Sequence, residues 1–238
     1  VTALTEVIAR TRTLFLDFDG PICGIFAGYP APTVAAELRH LLHRNNITIS
    51  ADMQATDDPI EVLKLAAKLD DPAVARLVAD ALRDAEVTAA ETAEATPHAD
   101  DVIHAALDTG RRLAVVSNNS TEAVTAYLKR QGLDTSFARI IGRYDGMSVD
   151  FLKPSNHLLA LALIGSDAPP WSTTLVGDST TDITAARSVP ISAIGYANKP
   201  DKTHALNTAG ADAVIASMAE LADAMHATPP HDERRQGV

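Results

Sequence analysis

A chain of 238 residues, 46% hydrophobic and 21% charged, is long enough to bury a full core, either as one large domain or as a core with an insert. Its formal net charge of −11 argues against nucleic acid or an anionic membrane surface as a partner, since both require a basic footprint. No apolar stretch approaches the ~20 residues of a membrane span, and residues 1–12 lack the charged-then-apolar order of a secretory signal. A single cysteine, Cys23, excludes an intrachain disulfide and fits a reducing cytoplasm, the expected location.

The first predicted element is a strand over about 13–17, Thr-Leu-Phe-Leu-Asp, whose apolar run reads as a buried parallel strand. It ends in Asp17 and Asp19, one residue apart, followed by Gly20, which gives a tight turn its backbone freedom. Read alone, this fits a ligand site at the carboxyl end of a strand, and it fits a solvated Asp-x-Asp-Gly turn as well. Cys23, just beyond, reads as a packed, inert thiol.

The stretch from residue 18 to the next strand is far longer than a crossover helix requires. Ile60, Leu63 and Ala67, then Val74, Leu77, Val78, Ala81 and Leu82, recur at helical spacing with almost no strand-like alternation. A small helical bundle inserted over 28–96 follows. Asp57-Asp58-Pro59 and Asp70-Asp71-Pro72 read as helix starts, an acid capping and a proline opening each helix. Gly28, Pro30, Pro32 and Pro97 punctuate two hinges, near 27–32 and 95–98.

A second strand, about 113–117, ends in Ser117-Asn118-Asn119-Ser120, whose hydroxyl and amide groups suit a phosphate oxygen; Ser117 equally suits a helix cap. A third strand is expected at 139–142. Lys153 is fixed by Pro154 and reads as a point positive charge or a solvated surface lysine. Trp171, after Pro169-Pro170, is expected to anchor packing. A strand at 174–177 then runs into Gly177-Asp178 and, four residues on, Asp182 at a helix start, an acid that could also simply face the helix dipole. Joined to Asp17, these carboxylates make an oxygen-rich site suited to a hard cation such as magnesium. Strands at 191–195 and 213–216 complete the alternation of strand and helix, which predicts an α/β fold with a doubly wound, parallel, Rossmann-like core sheet. The core is expected at 1–27 and 97–228, and the tail 229–238 is expected to be disordered.

These four segments, in this order and at these separations, resemble the four motifs of the haloacid dehalogenase-like superfamily of aspartyl-phosphate phosphatases. A helical insert after the first motif resembles the mobile cap of its phosphoglycolate phosphatase and phosphoglucomutase-like branch. The resemblance implies a magnesium-dependent phosphatase. Asp17 would be the nucleophile, and Asp19 the acid and base. Ser117, the Asn118 amide and Lys153, with Gly20 beside them, would bind the phosphoryl group. Magnesium would be held by Asp17, the Asp19 backbone carbonyl and Asp178, with Asp182 holding or orienting it through water. Lys153 is further expected to pair with Asp17 or Asp178 when substrate is absent. Two departures from the family pattern stand out, Pro21 where threonine is common and Asn156 where a second proline is frequent.

Asp19 argues against the dehalogenase and phosphonatase reactions, whose enzymes lack that second acid. Gly177-Asp178-Ser179 with Asp182 favours a phosphomonoesterase over a phosphomutase, the alternative activity. A non-catalytic binding or regulatory module on the same fold is a third reading. The insert carries six Lys/Arg against twelve Asp/Glu between Tyr29 and Thr96, which disfavours a large polyanion and points to a small phosphorylated metabolite. Arg39, His43 and Arg44, with the loop from Asn45 to Asp58, are its candidate contacts. The chain is expected to act as a monomer or homodimer.

Overall fold

The computed structural model describes residues 2–164, 166 and 168–228; the tail expected to be disordered lies outside them. In chain order the elements are α1 (Ala3–Arg10), β1 (Thr13–Leu16), β2 (Cys23–Gly24), α2 (Ala31–Arg44), α3 (Ala51–Ala55), α4 (Pro59–Ala67), α5 (Pro72–Thr92) and β3 (Glu94–Ala95). Then follow α6 (Ala99–Asp108), β4 (Arg112–Ser120), α7 (Thr121–Gln131), β5 (Arg139–Arg143), α8 (His157–Ile164), β6 (Thr173–Gly177), α9 (Thr180–Arg187), β7 (Ser192–Tyr196), α10 (Lys202–Thr208), β8 (Ala213–Ile215) and α11 (Met218–Ala227).

Six strands form one sheet in the order β5-β4-β1-β6-β7-β8, and every pairing is parallel. Alternate side chains enter two different cores, as a pleated strand covered on both faces requires. Leu14, Leu16, Leu113, Val115, Val176 and Ile194 pack with helices on one face; Phe15, Ala114, Val116, Leu175 and Ala193 pack on the other. This is the doubly wound α/β fold. The strand order reverses at β1, and such folds open a ligand crevice at the carboxyl ends beside that point. At the opposite end, the buried Arg111 guanidinium donates to the carbonyls of Ile8, Thr11, Met225 and Thr228 and to Thr109 Oγ1, tying α1 and α11 to the base of the sheet. Burial lowers its pKa to about 10.

The helices between β2 and β3 have a core of their own, built from Val34, Leu38, Leu42, Met53, Val62, Leu63, Val78 and Leu82. Asp58 Oδ1 accepts from Ile60 N at 2.8 Å and Asp71 Oδ1 from Ala73 N at 2.9 Å, so both Asp-Pro pairs start helices as their chemistry dictates. The helix α5 belongs to two cores. Val74, Val78 and Leu82 pack within the insert, while Ala89, Ala90 and Ala93 pack in the main body. A two-residue antiparallel ribbon of β2 and β3, not anticipated from sequence, joins the two chain crossings. Trp171 also differs from expectation: its 3-10 turn, Pro170–Ser172, leaves the indole 55% exposed. No helix among the described residues is long and apolar enough to cross a membrane.

Phe15 is 1% exposed at the centre of β1. Truncating it leaves a cavity that the close-packed second core cannot collapse, so Phe15→Ala should cost about 3–5 kcal/mol in equilibrium urea unfolding.

Candidate active site

Asp17 stands immediately after β1, where its backbone N–H still bonds Val176 O of β6 at 2.9 Å. Phe18 points the other way, fully buried, with its ring edge-on to Tyr127 at 5.3 Å. That anchor leaves Asp17 and Asp19 together on the face lining the crevice. Asp17 Oδ1 accepts from Phe18 N at 2.7 Å and lies 2.9 Å from Lys153 Nζ.

Lys153 is no surface lysine. It is 2% exposed, and its ammonium contacts Asp17, Asp182 Oδ1 at 2.5 Å and the Val116 carbonyl at 3.0 Å. Burial works against its charge, but the two carboxylates outweigh burial and hold its pKa above the ordinary lysine range. The expected pairing with Asp17 is present, whereas the alternative pairing with Asp178 is not. Asp178 Oδ2 is held by Lys202 Nζ at 2.5 Å and Asn198 Nδ2 at 2.9 Å, from the loop and helix after β7. Neither residue was singled out from sequence. The available signal was position: both follow a strand whose carboxyl end borders the crevice.

Asp182 is fully buried at the start of α9, its Oδ2 accepting from Ser179 N and Ser179 Oγ in a capping box. It is therefore both the helix acid and a partner of Lys153. Its Oδ1 lies 2.5 Å from the Lys153 ammonium and has no other partner among the described residues. Single carboxylate oxygens of Asp17, Asp178 and Asp182 lie within 4.8 Å of one another. Three convergent hard oxygen donors fit a divalent cation of the magnesium type. The Asp19 carboxylate stands outside this trio and accepts from Ile25 N at 3.1 Å.

Desolvation, then repulsion from Asp182, outweigh Lys153 and raise the pKa of Asp17 to about 7. Desolvation likewise raises Asp19 to about 6, against the Ile25 N–H that favours its charged form. Cys23 is buried, and burial pushes its thiol well above the usual range, in keeping with an inert packed side chain.

Ser117 and Asn118 sit where β4 loses register with β5, between the pairings Val116↔Ile141 and Ser120↔Arg143. Ser117 Oγ accepts from Asn119 N and donates to Asn119 Oδ1, each at 3.2 Å. The Asn118 side chain clamps the Lys153 backbone, accepting from its N–H at 2.8 Å and donating to its carbonyl at 3.2 Å. Helix α7 is capped by Ser120, not Ser117. Gly20, expected among the phosphoryl-binding groups, gives its N–H to Cys23 O at 2.8 Å instead. What the site uses is its missing side chain: at φ 106°, a Cβ there would lie 2.5 Å from Asp178 Cγ. Gly177 makes the same allowance for Asp182, 2.4 Å from a hypothetical Cβ.

The crevice is a cleft of about 620 Å³ lined by Asp17, Asp19, Ser117, Asn118, Lys153, Asp178 and Asp182 and, from the insert, by Asp57, Asp58, Ile60 and Lys64. A groove of about 990 Å³ between α4, α5 and residues 143–155 adjoins it, and Lys64 and Lys153 line both. Arg39 and His43 do not reach the cleft. Arg39 donates to the Thr56 carbonyl and steadies the loop before α4, and His43 lines a separate shallow depression at the end of α2.

The family model for haloacid dehalogenase-like hydrolases matches residues 35–196. The chain belongs to this family. A curated relative, the probable phosphatase IndB of Dickeya dadantii, is 30% identical over 118 residues, and the match spans half of this chain and half the length of that protein. Two solved structures share the fold. CbbY from Rhodobacter sphaeroides, in complex with phosphate, has a TM-score of 0.67 and 21% identity, covering 89% of this chain and 96% of its own. YfnB of Bacillus subtilis, bound to magnesium, has a TM-score of 0.60 and 19% identity, covering 91% and 99%.

If the two glycines exist to admit Asp178 and Asp182, Gly20→Ala should displace Asp178. Magnesium affinity should then fall by about tenfold or more, read by calorimetric titration of a variant whose circular dichroism stays native.

Proposed function

We propose that this family member is a magnesium-dependent phosphatase that hydrolyses a small organic phosphate monoester through an aspartyl-phosphate at Asp17. The observation that carries the reading is the convergence, at the switch point of the sheet, of a carboxylate, a buried ammonium and two further acids, Asp17, Lys153, Asp178 and Asp182.

Asp17 Oδ1 is held by Phe18 N and Lys153, which leaves Oδ2 to attack phosphorus in line. The bond from phosphorus to the ester oxygen breaks as the bond to Asp17 forms. Asp19 gives its proton to the departing alkoxide, then takes one from the water that displaces Asp17 and releases phosphate. A carboxyl whose pKa lies near 6 suits both directions of that transfer. Ser117, the Asn118 backbone amide and Lys153 bind the phosphoryl oxygens where charge is greatest in the transition state. Asp17, Asp178 and Asp182, with the Asp19 carbonyl, would hold magnesium, which when bound offsets the repulsion between a carboxylate nucleophile and a phosphate dianion. Lys202 and Asn198 orient Asp178.

The modest cleft and its insert-derived lining, Asp57, Asp58 and the cation Lys64, support a small monoester over a large polyanion. The lone buried thiol supports a cytoplasmic setting.

Magnesium-dependent phosphate release from a panel of small monoesters tests the reading. Asp17→Asn should abolish release, and Asp19→Asn should lower kcat by about 10²–10⁴-fold. A folded wild type that binds magnesium yet releases no more phosphate than Asp17→Asn, for any ester, would overturn the activity.

A further inference from the structure

Glu86 lies on α5 four residues beyond Leu82, on the same buried stripe as Val74, Val78 and Leu82. Its carboxylate is fully buried, and its donors belong to the main body, not the insert. Oε2 accepts from Ser120 N at 2.9 Å and from Arg143 Nη2 at 2.6 Å, and Oε1 accepts from Asn119 Nδ2 at 3.2 Å. Arg143, 6% exposed, turns its Nε to the Asn118 carbonyl at 3.4 Å.

These bonds fall on the segment where β4 departs from its register. An irregular strand leaves backbone groups unpaired, and buried ones must find partners. Glu86 supplies one for Ser120 N. It also fixes the Asn119 amide. With the NH2 donating to a carboxylate, the Asn119 carbonyl must face Ser117 Oγ, and a flipped amide would set two acceptors against each other. The Asn119 side chain that Glu86 orients thus holds the Ser117 hydroxyl, together with the Asn119 N–H at 3.2 Å from Oγ. Close packing adds a second constraint, since a Cβ on Gly142 would lie 2.7 Å from Asn119 O. A buried ion pair is weak as a source of stability compared with apolar packing, whereas it fixes geometry well when each lone pair is matched.

We propose that Glu86, paired with Arg143, is a positioning residue that holds the phosphoryl-binding turn Ser117–Ser120 in register through Asn119, so that the insert contributes to phosphate affinity without touching substrate. The inference rests on the phosphatase reading for the role of that turn.

The full chain with magnesium tests it, with p-nitrophenyl phosphate as ester and inorganic phosphate as competing product. In Glu86→Gln and in Asn119→Ala, KM for the ester and the inhibition constant of phosphate should rise together by about tenfold, while half-saturation by magnesium stays within about twofold of wild type. General destabilisation would not separate phosphate from magnesium in this way. Should Glu86→Gln fail to fold, Asn119→Ala decides alone, because it leaves the Glu86–Arg143 ion pair intact and removes only the side-chain relay from Glu86 Oε1 to Ser117 Oγ, the Asn119 N–H bond to Ser117 remaining. Phosphate inhibition within twofold of wild type in folded Asn119→Ala overturns the proposal, even if the wild type is an active phosphatase. A wild type that binds phosphate by calorimetry but hydrolyses nothing overturns the activity alone, and the variants' phosphate affinities then decide the positioning role. A wild type that neither hydrolyses the ester nor binds phosphate overturns both.

Discussion

The buried Lys153 ammonium is the constraint on which the rest of the site depends. An isolated ammonium in a core would cost several kcal/mol. Here it is offset by oxygens from three separate places: Asp17 at the end of β1, the Val116 carbonyl of β4 and Asp182 at the start of α9. These are neighbours only because the parallel sheet runs β4-β1-β6 and α9 follows β6 directly. Removing the charge would leave Asp17 and Asp182 opposed at close range, and removing either acid would leave the lysine under-neutralised. The fold and the site are therefore mutually dependent.

Around this pair the backbone has been cleared for carboxylates. Gly20 and Gly177 stand against Asp178 and Asp182 at distances no side chain would permit. Phe18, fixed against Tyr127, divides the acidic turn into an apolar anchor and a polar face. The outcome is a concentration of negative charge with an internal cation, Lys153, and with Lys202 and Lys64 at its edge. Burial is the main cause of the raised pKa values of Asp17 and Asp19, and this surplus adds to it, through Asp182 and Asp178 for Asp17 and through Asp178 for Asp19.

Much of this was legible in the sequence because strand ends carry chemistry. Thr13 to Leu16, Leu113 to Val116 and Thr174 to Gly177 are unbroken buried runs, and the polar residues that terminate them line one crevice. The Asp-Pro helix starts were equally local. Contacts between distant elements were not legible. Nothing near Asp178 in sequence points to Lys202, and Arg39 looked available for substrate until the loop carbonyl of Thr56 was found to hold it. Glu86 is an intermediate case. Val74, Val78 and Leu82 define a stripe at intervals of four, and the next residue on it is an acid. An acid on a buried stripe signals a buried partner, though only the three-dimensional arrangement names Arg143 and Asn119.

The dual membership of α5 bears on how the inserted helices can move. An insert tied to its host by two loose connections could swing freely about both. In this molecule only one connection, through Ala27 to Pro30, is a short non-helical link. The other is a continuous helix of 21 residues rooted in the main core by Ala89, Ala90 and Ala93, pinned by Glu86 and braced further up by Arg83 against Asp145 at 2.8 Å. The inserted helices are thus joined to the main body through α5, which shares their core at one end and the main core at the other, so Asp57, Asp58 and Lys64 are presented to the cleft by a framework continuous with the main core and not by two loose connections.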